Sequence, residues 1–157
     1  MSHPLLVTPG DRAPDFTLAS SAGRQVTLAD HRGTDRVLLA FFPLAFTSTC
    51  TAELCAFSTD SGKFADRGAV VYGISVDSVP TLKAFAAREG IVVELLSDFH
   101  RAVSRAYGTL DEAAFFSRRA YVLINRDGAV IWTHVETVLG TRRENAELLA
   151  LLQGDAA

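Results

Sequence analysis

Apolar and polar positions change period several times along the chain, and each change marks a predicted element. Residues 37–42 (Val-Leu-Leu-Ala-Phe-Phe) are apolar throughout, as expected of a central strand covered on both faces. Short strand signals at 16–18 and 26–28 flank the turn Ser20-Ser21-Ala22-Gly23 and predict a hairpin. A helix is predicted over 50–66, ending near Gly68, followed by a strand over 70–76 that is rich in β-branched residues. Ser78 suits the cap of the next helix, with Pro80 in its first turn and Gly90 at a left-handed stop.

Further on, 91–96 reads as a strand and 98–107 as a short helix closed by Gly108. Residues 119–124 and 130–134 flank Asn125-Arg126-Asp127-Gly128, which predicts a second hairpin. A last amphipathic helix spans 144–152. Strand and helix alternate in the middle and a hairpin follows, so the fold class is an α/β sandwich with a central mixed sheet and an N-terminal β-hairpin. No repeat or linker interrupts the pattern, and the 157 residues are expected to form one domain, 1–157.

The chemistry sits where the central strand stops. Pro43 ends the apolar run, and the hydroxyl-rich turn Thr47-Ser48-Thr49 leads to Cys50 at a helix start. A thiol there faces unpaired backbone N–H groups and the positive end of the helix dipole, both of which favour thiolate. The only other cysteine is Cys55, five positions on along the same predicted helix. In open α/β sheets reactive groups collect at the carboxyl ends of the strands, where Cys50 lies by sequence order. Sulfur redox chemistry is the expected activity.

Composition narrows the alternatives. A hydrophobic content of 48% with 21% charged residues is that of an ordinary globular chain. The net charge of −3 and the absence of a basic patch give no footprint for nucleic acid; Arg118-Arg119 and Arg142-Arg143 are too short to make one. The longest unbroken apolar stretch, 37–46, is far below the about 18 residues that span a bilayer, so no membrane partner is expected. The N-terminus carries no secretory signal pattern, and a cytoplasmic location is the default. His3, His31, His100 and His134 are scattered, with no spacing that joins a cysteine in a metal site. Gly73 and Gly108 read as packing and turn positions rather than as part of a phosphate loop.

Pro43-x-x-x-Thr47-x-x-Cys50 is similar to the active-site signature of the peroxiredoxins, thiol peroxidases built on a thioredoxin-like fold. The resemblance extends to Gly10-Asp11-Arg12-Ala13-Pro14-Asp15-Phe16, to Leu95-Leu96-Ser97-Asp98, and to Arg119 ahead of the 125–128 turn. It covers nearly the whole chain. The wording Phe-Phe-Pro-Leu-Ala-Phe-Thr before the cysteine resembles the alkyl hydroperoxidase E-type branch, whereas the Cys50-x-x-x-x-Cys55 spacing resembles the bacterioferritin comigratory or Q-type branch. The subgroup stays open between the two.

The resemblance implies Cys50 as the peroxidatic nucleophile, Thr47 and Arg119 as groups that bind peroxide or thiolate, Pro43 as a shield against water, and Cys55 as the resolving thiol. It implies hydrogen peroxide or an alkyl hydroperoxide as substrate, a thioredoxin-like reductant, and no haem, flavin or metal cofactor. Monomer and homodimer are both open.

Plainer readings stand beside each role. Thr47 can belong to a capping cluster, Cys55 can be an inert core residue with an external thiol resolving the sulfenic acid, and Glu53 can be either an orienting partner for an arginine or part of a solvated face. Phe115 and Phe116 fit a hydrophobic rim, a dimer contact or a buried loop anchor. Two other functions use the same cysteines. Thioredoxin-type exchange is disfavoured because its cysteines lie three apart, and a redox-sensing binding module would oxidise slowly.

A geometric expectation accompanies the Cys55 assignment. Positions five apart in an intact helix have Cα atoms roughly 8.7 Å apart, and a disulfide tolerates at most about 7 Å. A bond between Cys50 and Cys55 therefore requires the helix to unwind around 47–58.

Overall fold

A computed structural model describes residues 4–153. Its centre is a five-stranded sheet in the order β5-β4-β3-β8-β9, built from β3 (Arg36–Phe41), β4 (Ala69–Ser75), β5 (Glu94–Ser97), β8 (Ala120–Ile124) and β9 (Val130–Val135). β3, β4 and β5 are parallel, while β8 runs antiparallel to both β3 and β9. The sheet is thus mixed, with the apolar β3 in the middle position and every one of its residues buried.

Alternation along β3 divides the core into two layers. Leu38 and Ala40, with Phe42 just beyond the strand, face Leu54, Phe57, Phe64, Leu82, Phe85 and Leu148. Those six side chains come from α1 (Ser48–Thr59), α2 (Ser61–Asp66), α3 (Val79–Glu89) and α5 (Asn145–Ala150). Val37, Leu39 and Phe41 face the other way, against Val26, Val103 and Tyr107. That side is covered by α4 (Ala102–Tyr107) and by the hairpin of β1 (Thr17–Ala19) and β2 (Gln25–Thr27).

Local signals placed several boundaries. Ser78 Oγ accepts the Thr81 N–H at the start of α3, and Gly90 closes that helix at φ +68°. In the 125–128 turn, Asn125 Oδ1 accepts the N–H groups of Asp127 and Ala129, and Gly128 adopts φ +88°.

Elsewhere tertiary contacts moved the boundaries. The single helix expected over 50–66 is two helices, broken at Asp60, whose carboxylate accepts Asn145 Nδ2 at 2.9 Å. The helix expected from residue 98 begins only at Ala102. Asp98 accepts the N–H groups of Val103 and Ser104, and Arg101 takes φ +65°, so 99–101 form a loop across its start. The strand expected from 91 starts at Glu94. Two elements had no counterpart in the pattern: a 3-10 turn over Leu28–His31, and a small hairpin of β6 (Leu110–Asp111) and β7 (Phe116–Ser117).

The depth at which α1 sits on the sheet is set by Gly73, in the middle of β4. A Cβ there would lie 2.9 Å from Leu54 Cδ1, 2.9 Å from Leu95 Cδ2 and 3.1 Å from the Phe42 ring. Gly73→Ala is therefore expected to destabilise the fold by about 1–3 kcal/mol through overpacking. A urea denaturation curve that kept its midpoint would contradict that close seating.

Candidate active site

β3 delivers the chain to the site edge of the sheet, where the Phe42 N–H still donates to the Ile74 carbonyl at 2.9 Å. Pro43 follows, buried and without an N–H to continue the ladder. The Ala45 N–H donates to Asp77 Oδ2 at 2.8 Å, and Phe46 turns the chain at φ +65°. The Phe46 ring packs on Phe85, with centroids 5.1 Å apart, and under the Arg88 guanidinium. Thr47 is then extended (φ −92°, ψ 154°) and its carbonyl accepts the Thr51 N–H as the first helical bond of α1.

Cys50 is the third residue of α1 and only 1% exposed. Its Sγ accepts a hydrogen bond from Arg119 Nη2 at 3.2 Å. Arg119 Nη1 donates to Glu53 Oε1 at 2.7 Å, between side chains that are 2% and 1% exposed. Glu53 lies three residues after Cys50 and so on the same helix face. Its second oxygen accepts the Tyr121 hydroxyl, which in turn accepts the Arg143 N–H at 3.0 Å. Arg119 and Tyr121, two apart at the start of β8, point to one side. Arg118 points to the other, where its guanidinium donates to the Gly108 carbonyl.

Burial and pairing pull against each other within this group. Burial pushes the Glu53 carboxyl up, with Arg119 and Tyr121 drawing it back. Burial likewise disfavours the Arg119 cation, but Glu53 and Cys50 outweigh it and leave Arg119 above its usual range. The Tyr121 hydroxyl is held protonated, by burial first and the adjacent Glu53 carboxylate second. Arg119 Nη2 also reaches the Leu139 carbonyl at 3.4 Å, and its Nε is buried with no partner among the described residues. The guanidinium is thus fixed from two sides, and its Nε–H is still free to donate.

Thr47 is exposed, and its hydroxyl donates to the Leu44 carbonyl at 2.8 Å rather than capping the helix. Cys55 is half-buried with its Sγ directed at the Glu89 carbonyl, 3.8 Å away. Burial, then Glu89, pushes its thiol up. Both cysteines are free and lie on one unbroken helix. Three hydroxyls of that helix bond carbonyls four residues back: Thr51 to Thr47, Ser58 to Leu54 and Thr59 to Cys55.

Of the expected residues, the structure brings Cys50 and Arg119 into contact and adds Glu53, whose alternative as a solvated face is excluded by its burial. Phe115 is no buried anchor: it is 48% exposed and its ring lies under the Arg101 guanidinium, 4.0 Å from the centroid. Two residues escaped the sequence reading. Tyr121 could have been found by period-two alternation from Arg119; Asp77 is tied to the site only by a turn 32 residues upstream.

The geometry now meets its relatives. The AhpC/TSA family model matches residues 9–133. The chain belongs to this family, the peroxiredoxins. It is 42% identical over 123 residues to alkyl hydroperoxide reductase E of Mycobacterium tuberculosis, covering 77% of this chain and 80% of that protein. To peroxiredoxin Bcp of Escherichia coli it is 35% identical over 127 residues, 77% of this chain and 81% of the relative. Names from both branches suggested by the sequence therefore appear among its relatives.

Solved structures agree with the fold. The reduced 2-Cys peroxiredoxin of Plasmodium vivax superposes with a TM-score of 0.84 at 31% identity, covering 92% of this chain and 93% of that one. Peroxidoxin BcpB of Mycobacterium tuberculosis gives 0.83 at 27%, covering 94% and 97%. The thioredoxin-like architecture of this peroxiredoxin, and its class as a thiol peroxidase, follow from that membership.

Removing the Tyr121 hydroxyl should show how much the clamp depends on it. Tyr121→Phe leaves the buried Glu53 Oε2 without its donor, which is expected to cost about 1–3 kcal/mol. Equilibrium denaturation at neutral pH reads this directly, and an unchanged stability would mean that water replaces the hydroxyl.

Proposed function

We propose that this peroxiredoxin reduces hydrogen peroxide and organic hydroperoxides with Cys50 as nucleophile, working as one domain over 1–157 in a reducing, cytoplasmic compartment. The observation that carries the reading is the Arg119 guanidinium, with one nitrogen 3.2 Å from the Cys50 sulfur and a second, Nε, unspent among the described residues. The location is compatible with two free cysteines and with the absence, among the described residues, of a helix long and apolar enough to cross a membrane.

The thiolate attacks one peroxide oxygen. The S–O bond forms as the O–O bond breaks, and the electron pair departs on the other oxygen, which takes a proton and leaves as water or an alcohol. Cys50 is left as a sulfenic acid. Full ionisation of an ordinary thiol gains at most roughly 30-fold at neutral pH. Alignment and stabilisation of the departing charge must supply the rest. Arg119 donates to the charge leaving the sulfur. The first turn of α1, which contains no acidic residue, adds its positive end. Thr47 exchanges its bond to the Leu44 carbonyl for one to the peroxide, and Pro43 keeps water off the sulfur.

Cys55 then resolves the sulfenic acid. Its sulfur attacks that of Cys50, water leaves, and a thioredoxin-like dithiol returns two electrons and two protons to the disulfide. Unwinding of α1 also takes Cys55 away from the burial and the Glu89 charge that push its thiol up, so the step that brings the sulfurs together favours its thiolate. The second reading, resolution by an external thiol, is favoured by Cys55 standing on the intact helix with its sulfur on the Glu89 carbonyl.

Cys50→Ser is expected to abolish peroxide consumption, and a rate equal to wild type would end the proposal. Arg119→Lys is expected to lower the second-order rate about 10²- to 10³-fold, because a point charge does not replace two fixed donors. One equivalent of peroxide distinguishes the two resolving routes by mass: loss of two hydrogens supports Cys55, and a persistent added oxygen rejects it. On the disulfide route, amide exchange over 47–58 rises on oxidation; unchanged protection there would refute the unwinding.

A further inference from the structure

Asp77 holds no bond to Cys50, Glu53 or Arg119, yet it organises the turn from which the reactive helix starts. It follows β4, at the carboxyl end of the strand beside β3. Its Oδ2 accepts both the Ala45 N–H at 2.8 Å and the Ser75 hydroxyl at 2.7 Å. Its own N–H donates to Ser75 Oγ at 3.2 Å, and its carbonyl accepts the Ser97 hydroxyl from β5 at 2.6 Å. Ser75 at the end of β4 therefore steadies one carboxylate oxygen, Ser97 of β5 holds the Asp77 backbone, and that oxygen fixes Ala45.

Ala45 is itself buried, and the next residue is in a left-handed conformation that a phenylalanine adopts only when its surroundings impose it. Leu44, whose carbonyl receives the Thr47 hydroxyl, and Thr47, whose carbonyl opens the ladder of α1, flank this same bend. We propose that Asp77 is a positioning residue for peroxide reduction: by tethering the Ala45 N–H it sets the bend at Phe46, and through it the direction of the Thr47 hydroxyl and of the first-turn N–H groups beside Cys50. The inference rests on the proposed role of Cys50 and Thr47 and names what aims them.

A device that aims a peroxide is distinguishable from one that only holds the fold. Alkylation of Cys50 by iodoacetamide needs an accessible sulfur but no aligned O–O bond and no Thr47 hydroxyl. Asp77→Ala is expected to slow hydrogen peroxide reduction about tenfold or more while alkylation changes less than about twofold, since misplacement by a fraction of an ångström penalises the aligned reaction alone. Asp77→Asn keeps an acceptor oxygen for Ala45 and is expected to recover the peroxide rate to within about threefold of wild type.

Ser75→Ala removes the hydroxyl that steadies the carboxylate without altering the acceptor, and is expected to give a loss between those of the Asn and Ala variants. These two milder changes carry the test if Asp77→Ala does not fold. The inference fails if the peroxide rate is unaffected by Asp77→Ala, if Asn and Ala at position 77 are equally slow, or if peroxide reduction and alkylation fall together. Should Asp77→Ala not fold, an Asn variant as slow as that expected for Ala, or a Ser75→Ala rate equal to wild type, defeats it. A Cys50→Ser control separates the two levels: residual wild-type activity there refutes the proposed function, whereas an inactive control beside a normal Asp77 series refutes only the positioning role.

Discussion

One guanidinium organises this molecule. Arg119 is buried at the edge of the sheet with a sulfur on one side and a carboxylate on the other. An arginine so desolvated persists only when opposite charge surrounds it, and removing one partner of such a pair costs about 3–5 kcal/mol. Glu53 supplies the opposite charge from the same helix that carries Cys50, so the stabilising contact and the reactive contact are made by adjacent turns of α1. The helix cannot settle on the sheet without bringing its sulfur to the arginine. The Tyr121 hydroxyl closes the carboxylate's remaining side, and the Arg143 N–H that donates to this hydroxyl connects it to the loop before α5.

What could be read from the sequence was what neighbours in the chain determine. The apolar run of β3, the cap at Ser78, the left-handed stop at Gly90 and the Asn125–Gly128 turn all depend on residues within a few positions of one another, and all lie where expected. The two-layer core follows from the alternation of β3 itself. At the site, the place of Cys50 in the first turn of a helix was legible for the same reason, although that helix begins two residues earlier, at Ser48.

The remainder depends on partners distant in sequence. The break at Asp60 coincides with a bond to Asn145, 85 residues later, which no helical pattern in 50–66 contains. The late start of α4 reflects the Asp98 carboxylate reaching over a loop to two N–H groups. Glu53 was ambiguous because a carboxylate beside hydroxyls and alanines looks solvated until the arginine facing it is known. Asp77 gave no signal at all, since its bond to the Ala45 N–H forms only when β3 and β4 are side by side.

The hydroxyls of α1 bear on how tightly that helix is wound. Carbonyls of Thr47, Leu54 and Cys55 each receive a side-chain donor in addition to, or in competition with, the backbone amide of the following turn. Sharing a carbonyl in this way weakens its hold on the backbone amide. Serine and threonine thus slightly loosen the ladder of α1 without interrupting it, so the helix that carries both cysteines is wound less tightly than an alanine helix of the same length.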